Sequence, residues 1–224
     1  MSKGKLIVLE GIDGSGKSAQ YRRLCKRMEN DGLDYNNIVF PRYDKERSML
    51  IRMYLSGEFG PHPTDVNAYT ASTFYAVDRF ASFRQDWGEK YNNGGLFIAD
   101  RYTTSNAVHQ GSKLEAEEQP AFFKWLADLE YVKMGLPKPD LVLYLDVDIP
   151  TALKRMAHRQ NDTNTKADIH EKDIAYLQRC LNTANKAADY FGWVKIPFLE
   201  DGLERDVDEK NADIYRLICS YLGV

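Results

Sequence analysis

Residues 11–18 read Gly-Ile-Asp-Gly-Ser-Gly-Lys-Ser, which is the phosphate-binding P-loop pattern G-x-x-x-x-G-K-[ST]. An apolar run, Leu6 to Leu9, precedes it, and an amphipathic stretch follows from Lys17. This feature narrows the fold most, because such a loop has to join a buried parallel strand to the N-terminus of a helix. The glycines let backbone N–H groups turn inward as an anion nest, and the helix end adds its dipole. Lys17 supplies a cation to the β- and γ-phosphates, and the Ser18 hydroxyl is a ligand for Mg²⁺. Four fixed positions match by chance in roughly one chain in a hundred of this length, and the flanking strand and helix make chance rarer still. Gly11, Ile12, Asp13, Gly14, Ser15, Gly16, Lys17 and Ser18 are therefore the nucleotide-binding candidates.

The remaining sequence predicts an α/β chain. Short apolar runs at Lys5 to Leu9, Asn37 to Phe40, Leu96 to Ala99, Leu141 to Asp146 and Trp193 to Ile196 read as parallel strands buried on both faces. Between them lie helical patterns: Lys17 to Glu29, Thr64 to about Lys90, about Glu117 to Met134, one opened by Pro150, about Asp168 to Tyr190, and Val207 to Tyr221. Gln160 to Lys166 reads as a polar mobile loop between two helices. At 224 residues the chain is long for one domain and short for two, so one domain over 1–224 is expected. Lys and Arg total 30 against 33 Asp and Glu, and this net charge of −3 disfavours a nucleic-acid coating role. No run approaches the ~20 apolar residues of a membrane span. Cys25, Cys180 and Cys219 are far apart, with no C-x-x-C, which argues against a disulfide framework or a zinc site and for a reducing cytoplasm.

P-loop chains include GTPases, ATPases and kinases of small acceptors. Thr165-Lys166-Ala167-Asp168 spells a guanine-reading motif but lies in the polar loop, away from a strand end. A kinase for a phosphorylated acceptor needs a cation for the acceptor phosphate, a platform for its base and cations around the transferring group. Arg42, after the second strand, has the planar fork for a phosphate; a surface arginine is the weaker alternative reading. Tyr75 and Arg79 are four apart on one helix face, suited to stacking on a base and bonding a carbonyl; Tyr75 alone reads more readily as core. Asp100 ends the third strand, where it can hold Mg²⁺ or its water shell, and Arg101 follows next to the phosphates. Arg155 and Arg159 share a face, and with Lys166 they form either a basic lid or a solvated charged helix.

Taken in order, these segments resemble the thymidylate kinase family across roughly residues 5–190. The blocks that carry the resemblance are Leu9 to Ser18 with Gln20, Phe40-Pro41-Arg42, Tyr75 with Arg79, Asp100-Arg101-Tyr102 with Ser105, Asn106 and Gln110, Leu145-Asp146-Val147, the Ala152 to Arg155 run, and Arg159 with Asp168 and Glu171. The resemblance implies a P-loop kinase fold: a five-stranded parallel sheet flanked by helices on both faces, with a small lid at about residues 155–168. It implies transfer of a phosphoryl group from ATP, with Mg²⁺, to dTMP. Gln20 joins the ATP-binding set. Asp13 would accept from the sugar 3′-hydroxyl, Arg42 and Arg101 would clamp the monophosphate, and Tyr75 would stack on thymine. Arg79 would contact the O4 carbonyl, Ser105, Asn106, His109 and Gln110 would complete the acceptor site, and Asp100 would lie near the metal shell. The catalytic set implied is Asp13, Lys17, Arg101 and Arg159. A homodimer is also implied, with the long Thr64 to Lys90 helix as a contact. Position 14 is Gly rather than the arginine some members carry, so the lid would supply the catalytic cation, through Arg159 and Lys166. His109 stands where Tyr or Phe is usual, near the sugar 2′ carbon, and Ala19 and Tyr75 replace the commoner Thr and Phe. A deoxynucleoside kinase or another monophosphate kinase of the same fold is the enzymatic alternative, and a regulator without turnover is the other.

Overall fold

In the computed structural model, which describes residues 3–163 and 174–224, the apolar runs form β1 (Lys5–Glu10), β2 (Asn36–Val39), β3 (Leu96–Asp100), β4 (Leu141–Asp146) and β5 (Val194–Pro197). All four pairings are parallel, in the order β2-β3-β1-β4-β5. Leu6 to Leu9 are fully buried at the centre of this sheet, each worth about 1.5–3 kcal/mol of burial. The edge strands depart from the both-faces-buried expectation. Only Ile38 is buried in β2 and only Ile196 in β5, because each has a neighbour on one side alone.

The helices are α1 (Lys17–Asn30), α2 (Met49–Ser56), α3 (Ala68–Ser82), α4 (Gly88–Asn92), α5 (Thr103–His109), α6 (Gln119–Ala127), α7 (Ile149–Thr163), α8 (Ile174–Phe191) and, last in the chain, α9 (Val207–Leu222). Right-handed crossovers decide their sides. The step from β1 to β2 runs one way along the sheet, and the steps through β3, β4 and β5 run the other. Thus α1, with α9 packed on it, covers one face, and the layer containing α5, α6 and α8 covers the other. The chain reverses direction between β1 and β3, and the crevice beyond the carboxyl ends of those strands is where α/β sheets bind ligands. Leu9 is in register with Asp100, so the segments after both strands emerge together there.

Three sequence expectations need correction. The Thr64 to Lys90 pattern is helical but starts later and is not α-helical throughout: Asn67 caps α3 through Thr70 N (2.8 Å), and a π-helical turn over Phe83–Trp87 joins α3 to α4 without a break. That turn packs Trp87 against Phe83 (ring centroids 4.7 Å) and Phe97 (5.2 Å). The Glu117 to Met134 pattern likewise becomes α6 and a π-helical turn, Asp128–Lys133. Gln160 to Thr163 are not loop; they extend α7, which has no Gly or Pro after Pro150 to stop it. The rest of that expected loop and the start of the following helix, including Lys166, Asp168 and Glu171, lie outside the described residues. Unforeseen were α2, α5 and an antiparallel hairpin of β6 (Leu199–Glu200) and β7 (Leu203–Glu204). Among the described residues no helix is long and apolar enough to cross a membrane.

Candidate active site

The loop after β1 curls around the start of α1. Gly14 and Gly16 take positive φ (77° and 81°), and Gly16 is the N-cap of α1, so no side chain covers the first turn's N–H groups. A Cβ at Gly14 would lie 2.3 Å from the Ala152 carbonyl oxygen, so the start of α7 holds the loop from behind. Arg155 grips it from the same side: Nη1 donates to Ser15 O (2.8 Å), and Nη2 bonds Glu204. The Arg155 guanidinium also lies 5.3 Å from the centre of the Phe198 ring. The Ser15 hydroxyl is buried without a hydrogen-bond partner among the described residues and packs against the backbone of Gly11.

Lys17 is buried and paired with Asp100 across the β1–β3 crevice. Burial and the nearby Arg101 pull its ammonium below the ordinary lysine value, against Asp100 and Glu10. Arg101 holds φ at +67°, a conformation a non-glycine residue adopts at a cost of about 1–3 kcal/mol. Its N–H continues the ladder to Leu9 O (3.1 Å) while its side chain turns into the crevice. There Nη2 donates to Asp13 Oδ1 (2.5 Å), and Nη1 lies 3.0 Å from His109 Nε2 and 3.4 Å from Ser105 Oγ. Burial alone would lower Arg101, but the carboxylates of Asp13, Glu10 and Asp100 outweigh it and hold the guanidinium above its ordinary range.

Two cavities meet at this pair. One, of about 1260 Å³, is floored by residues 12–20 and bounded by Arg155, Phe198 and Glu204. The other, of about 510 Å³, lies between Tyr75 and Arg79 of α3 and Ser105, Asn106, His109 and Gln110. Asp13 and Arg101 line both.

The sequence-predicted residues fall into three groups. The loop residues 12–18 and Gln20 line the larger cavity, with Gly11 buried at the start of the loop and Ser18 exposed; Gln20 itself ties α1 to α9, its Nε2 donating to Val207 O (3.0 Å). Tyr75, Arg79, Arg101, Ser105, Asn106, His109 and Gln110 gather at the smaller one, where Asn106 Nδ2 is taken by Ser72 O (3.1 Å) and Gln110 Oε1 is buried without a partner among the described residues. Arg42 stands apart: its guanidinium pairs with Asp44 (3.1 Å), half-exposed, and borders a different cavity beside β2. Arg159 lies on α7, with its side chain outside the described part.

A family profile described as thymidylate kinase matches residues 9–205. The chain belongs to the thymidylate kinase family. The thymidylate kinase of Mycobacterium tuberculosis is 31% identical over 176 residues, covering 78% of this chain and 81% of that protein. The one from Prochlorococcus marinus is 26% identical and covers 97% of both chains. The solved thymidylate kinase of Candida albicans superposes with a TM-score of 0.71 over 99% of this chain and 94% of its own, at 20% identity, which speaks for the fold.

Two carboxylates of the site escaped the sequence reading. Glu10 ends β1 fully buried and accepts from Thr104 Oγ1 (2.5 Å), Ser105 Oγ (2.7 Å) and Gly11 N (2.9 Å), pinning α5 to the phosphate loop. Its signal was a charge closing an otherwise apolar strand. Glu130 is buried as well, and its two oxygens accept from Arg79 Nε (2.6 Å) and Nη2 (2.5 Å) while Thr103 donates at 2.8 Å. Its signal was an acid four residues beyond Leu126 on an apolar helix face.

Proposed function

We propose that this family member transfers the γ-phosphoryl group of ATP to dTMP, giving ADP and dTDP. The observation that carries the reading is the Asp13–Arg101 pair shared by the two cavities. A donor and an acceptor seated on either side of it would bring their phosphates together over one guanidinium. The work of such a site is positioning and neutralising charge, since the protein forms no covalent bond to the transferred group.

In this reading residues 11–18 and Gln20 surround the ATP phosphates, Lys17 bridges to the transferring group, and Arg101 reaches the acceptor phosphate. Asp13 orients the acceptor sugar. Tyr75 stacks on the base, and Arg79, already fixed by Glu130, turns a remaining N–H toward a base carbonyl. Asn106, Gln110, Ser105 and His109 fill out the acceptor pocket. Arg42 joins the clamp only by leaving Asp44, and Arg159 of α7 is the candidate lid cation. Ser18 and Asp100 offer two hard oxygen donors, one a hydroxyl and one a carboxylate. That pattern fits Mg²⁺, which keeps waters and takes its other ligands from phosphates. When bound, Mg²⁺ would neutralise charge on the phosphate oxygens. The reading treats residues 1–224 as one domain working in the cytoplasm, consistent with all three cysteines being free. It also takes the protein as a homodimer through α3, where Tyr69, Val77 and Phe80 are 39%, 49% and 40% exposed.

An acceptor panel tests the activity. With Mg-ATP, kcat/KM for dTMP is expected to exceed that for thymidine by at least about 10³-fold, the value of a clamped phosphate, and Arg42→Ala is expected to raise KM for dTMP. Turnover of thymidine with none of dTMP would move the chain to the nucleoside kinases. Sedimentation tests the assembly: the wild type is expected at twice the monomer mass and Val77→Lys at the monomer mass, and a monomeric wild type would end the dimer reading.

A further inference from the structure

The ring of His109, at the end of α5, has a different neighbour at each nitrogen. Nε2 lies 3.0 Å from Arg101 Nη1, and Nδ1 lies 3.6 Å from Cys180 Sγ on α8. A guanidinium has no acceptor, so Arg101 can only donate and Nε2 must carry the lone pair. The single ring proton of the neutral imidazole is then on Nδ1, directed at the Cys180 sulfur. The circuit continues in the same sense. The Cys180 thiol donates to Ser112 Oγ (3.4 Å), and the Ser112 hydroxyl donates to the carbonyl of His109 itself (2.9 Å). The Tyr176 hydroxyl donates to that same carbonyl and fixes the backbone at this point. Burial pushes the Cys180 thiol up to about 12, so it remains an S–H that can both accept from the ring and donate onward.

We infer that His109 is a positioning residue: as the Nδ1–H tautomer set by Cys180 and Ser112, it holds the Arg101 guanidinium against Asp13, and protonating its Nε2 releases that hold. The inference rests on the reading of Arg101 as the residue that meets the acceptor phosphate.

Charged and titratable groups face the ring from every side: Arg101 after β3, Asp13 of the phosphate loop, Glu10 of β1, Lys17 of α1, and Cys180 and Tyr176 of α8. Burial lowers His109 below its ordinary value, with Arg101 and Lys17 acting the same way and Asp13 and Glu10 opposing. The ring is therefore neutral at neutral pH, and the hold is lost as pH falls through that lowered value. The imidazolium would offer an N–H where Arg101 needs an acceptor and would set two cations 3.0 Å apart.

The test combines kinetics with spectroscopy. KM for dTMP and kcat are measured from about pH 5 to about pH 8.5 for the wild type, His109→Gln and His109→Leu. The wild-type KM for dTMP is expected to rise about tenfold per pH unit below the His109 titration while kcat changes by less than about threefold. His109→Gln keeps an acceptor oxygen that does not titrate, so its KM profile is expected to lose the His109 limb and keep only the shallower one set by the second ionisation of the dTMP phosphate, at about pH 6. His109→Leu removes the acceptor, and its KM is expected about tenfold or more above wild type across the whole range. Nitrogen-15 spectra of histidine-labelled wild type, assigned against His109→Gln, are expected to show the Nδ1–H tautomer at neutral pH. A ring proton on Nε2, or a His109→Gln profile that keeps the wild-type acid limb, would overturn the inference. If dTMP were not turned over at all, the acceptor reading would fall, and the tautomer would still decide whether His109 holds Arg101.

Discussion

Replacing Lys17 with Met is expected to lower kcat by about 10²–10³-fold, the loss seen when one preorganised charge is taken from a developing transition state. Met keeps the length and apolar stem of the side chain and removes only the ammonium. That ammonium is held by Asp100, with Glu10 adding to the attraction and Arg101 opposing it. It is therefore poised rather than locked: desolvated, already lowered below the ordinary lysine value, and close to both cavities through Arg101. KM for dTMP should change much less than kcat, because Lys17 lines the larger cavity and not the smaller one. Steady-state ADP release together with a thermal unfolding scan checks this. A kcat within about threefold of wild type in a folded variant would remove Lys17 from the chemistry.

The second large effect is on stability. Arg79→Met is expected to destabilise the fold by about 3–5 kcal/mol, because it leaves the Glu130 carboxylate buried without its cation. For a chain of this size that corresponds to a fall in Tm of about 6–20 °C. Burial by itself would lower Arg79, but Glu130 more than compensates, so the guanidinium stays charged throughout the accessible pH range. The pair is bidentate, and it ties α3 to the turn after α6 directly beneath the acceptor cavity. Adding Glu130→Gln to Arg79→Met removes the orphaned charge and is expected to restore at least half of the loss, since Thr103 can still bond the amide. Denaturant unfolding of the two variants decides it. A single variant within about 1 kcal/mol of wild type would show that the pair contributes little to holding the fold. Arg79 thus has two duties, and its loss should appear in stability as well as in KM for dTMP.

Much of this protein was legible in its sequence, for local reasons. A glycine-rich loop with Lys17 and Ser18 has one workable setting, between a buried strand and a helix start, and β1 and α1 supply it. Alternating apolar runs and helical patterns predicted the parallel sheet, because a both-faces-buried strand and an amphipathic helix are each encoded within a dozen residues. The ordered blocks from Leu9 to Glu171 carried the family, and the profile over residues 9–205 agrees.

The tertiary structure decided what depends on partners far away in the chain. Arg42 and Arg101 look alike as arginines after strand ends, yet Arg101 turns into the crevice at φ +67° toward Asp13 while Arg42 swings out to Asp44. Arg79 needed Glu130, 51 positions on, before its charge could be buried. The same holds for His109, whose tautomer is set by Cys180, 71 positions away. Helical periodicity could not foresee the π-helical turns at Phe83–Trp87 and Asp128–Lys133, because they break the 3.6-residue repeat on which such reading depends. Sequence pattern reports which face of an element is buried. Which charge meets which is settled only when the elements pack, because an ion pair or a ring tautomer is a property of two side chains and the space between them.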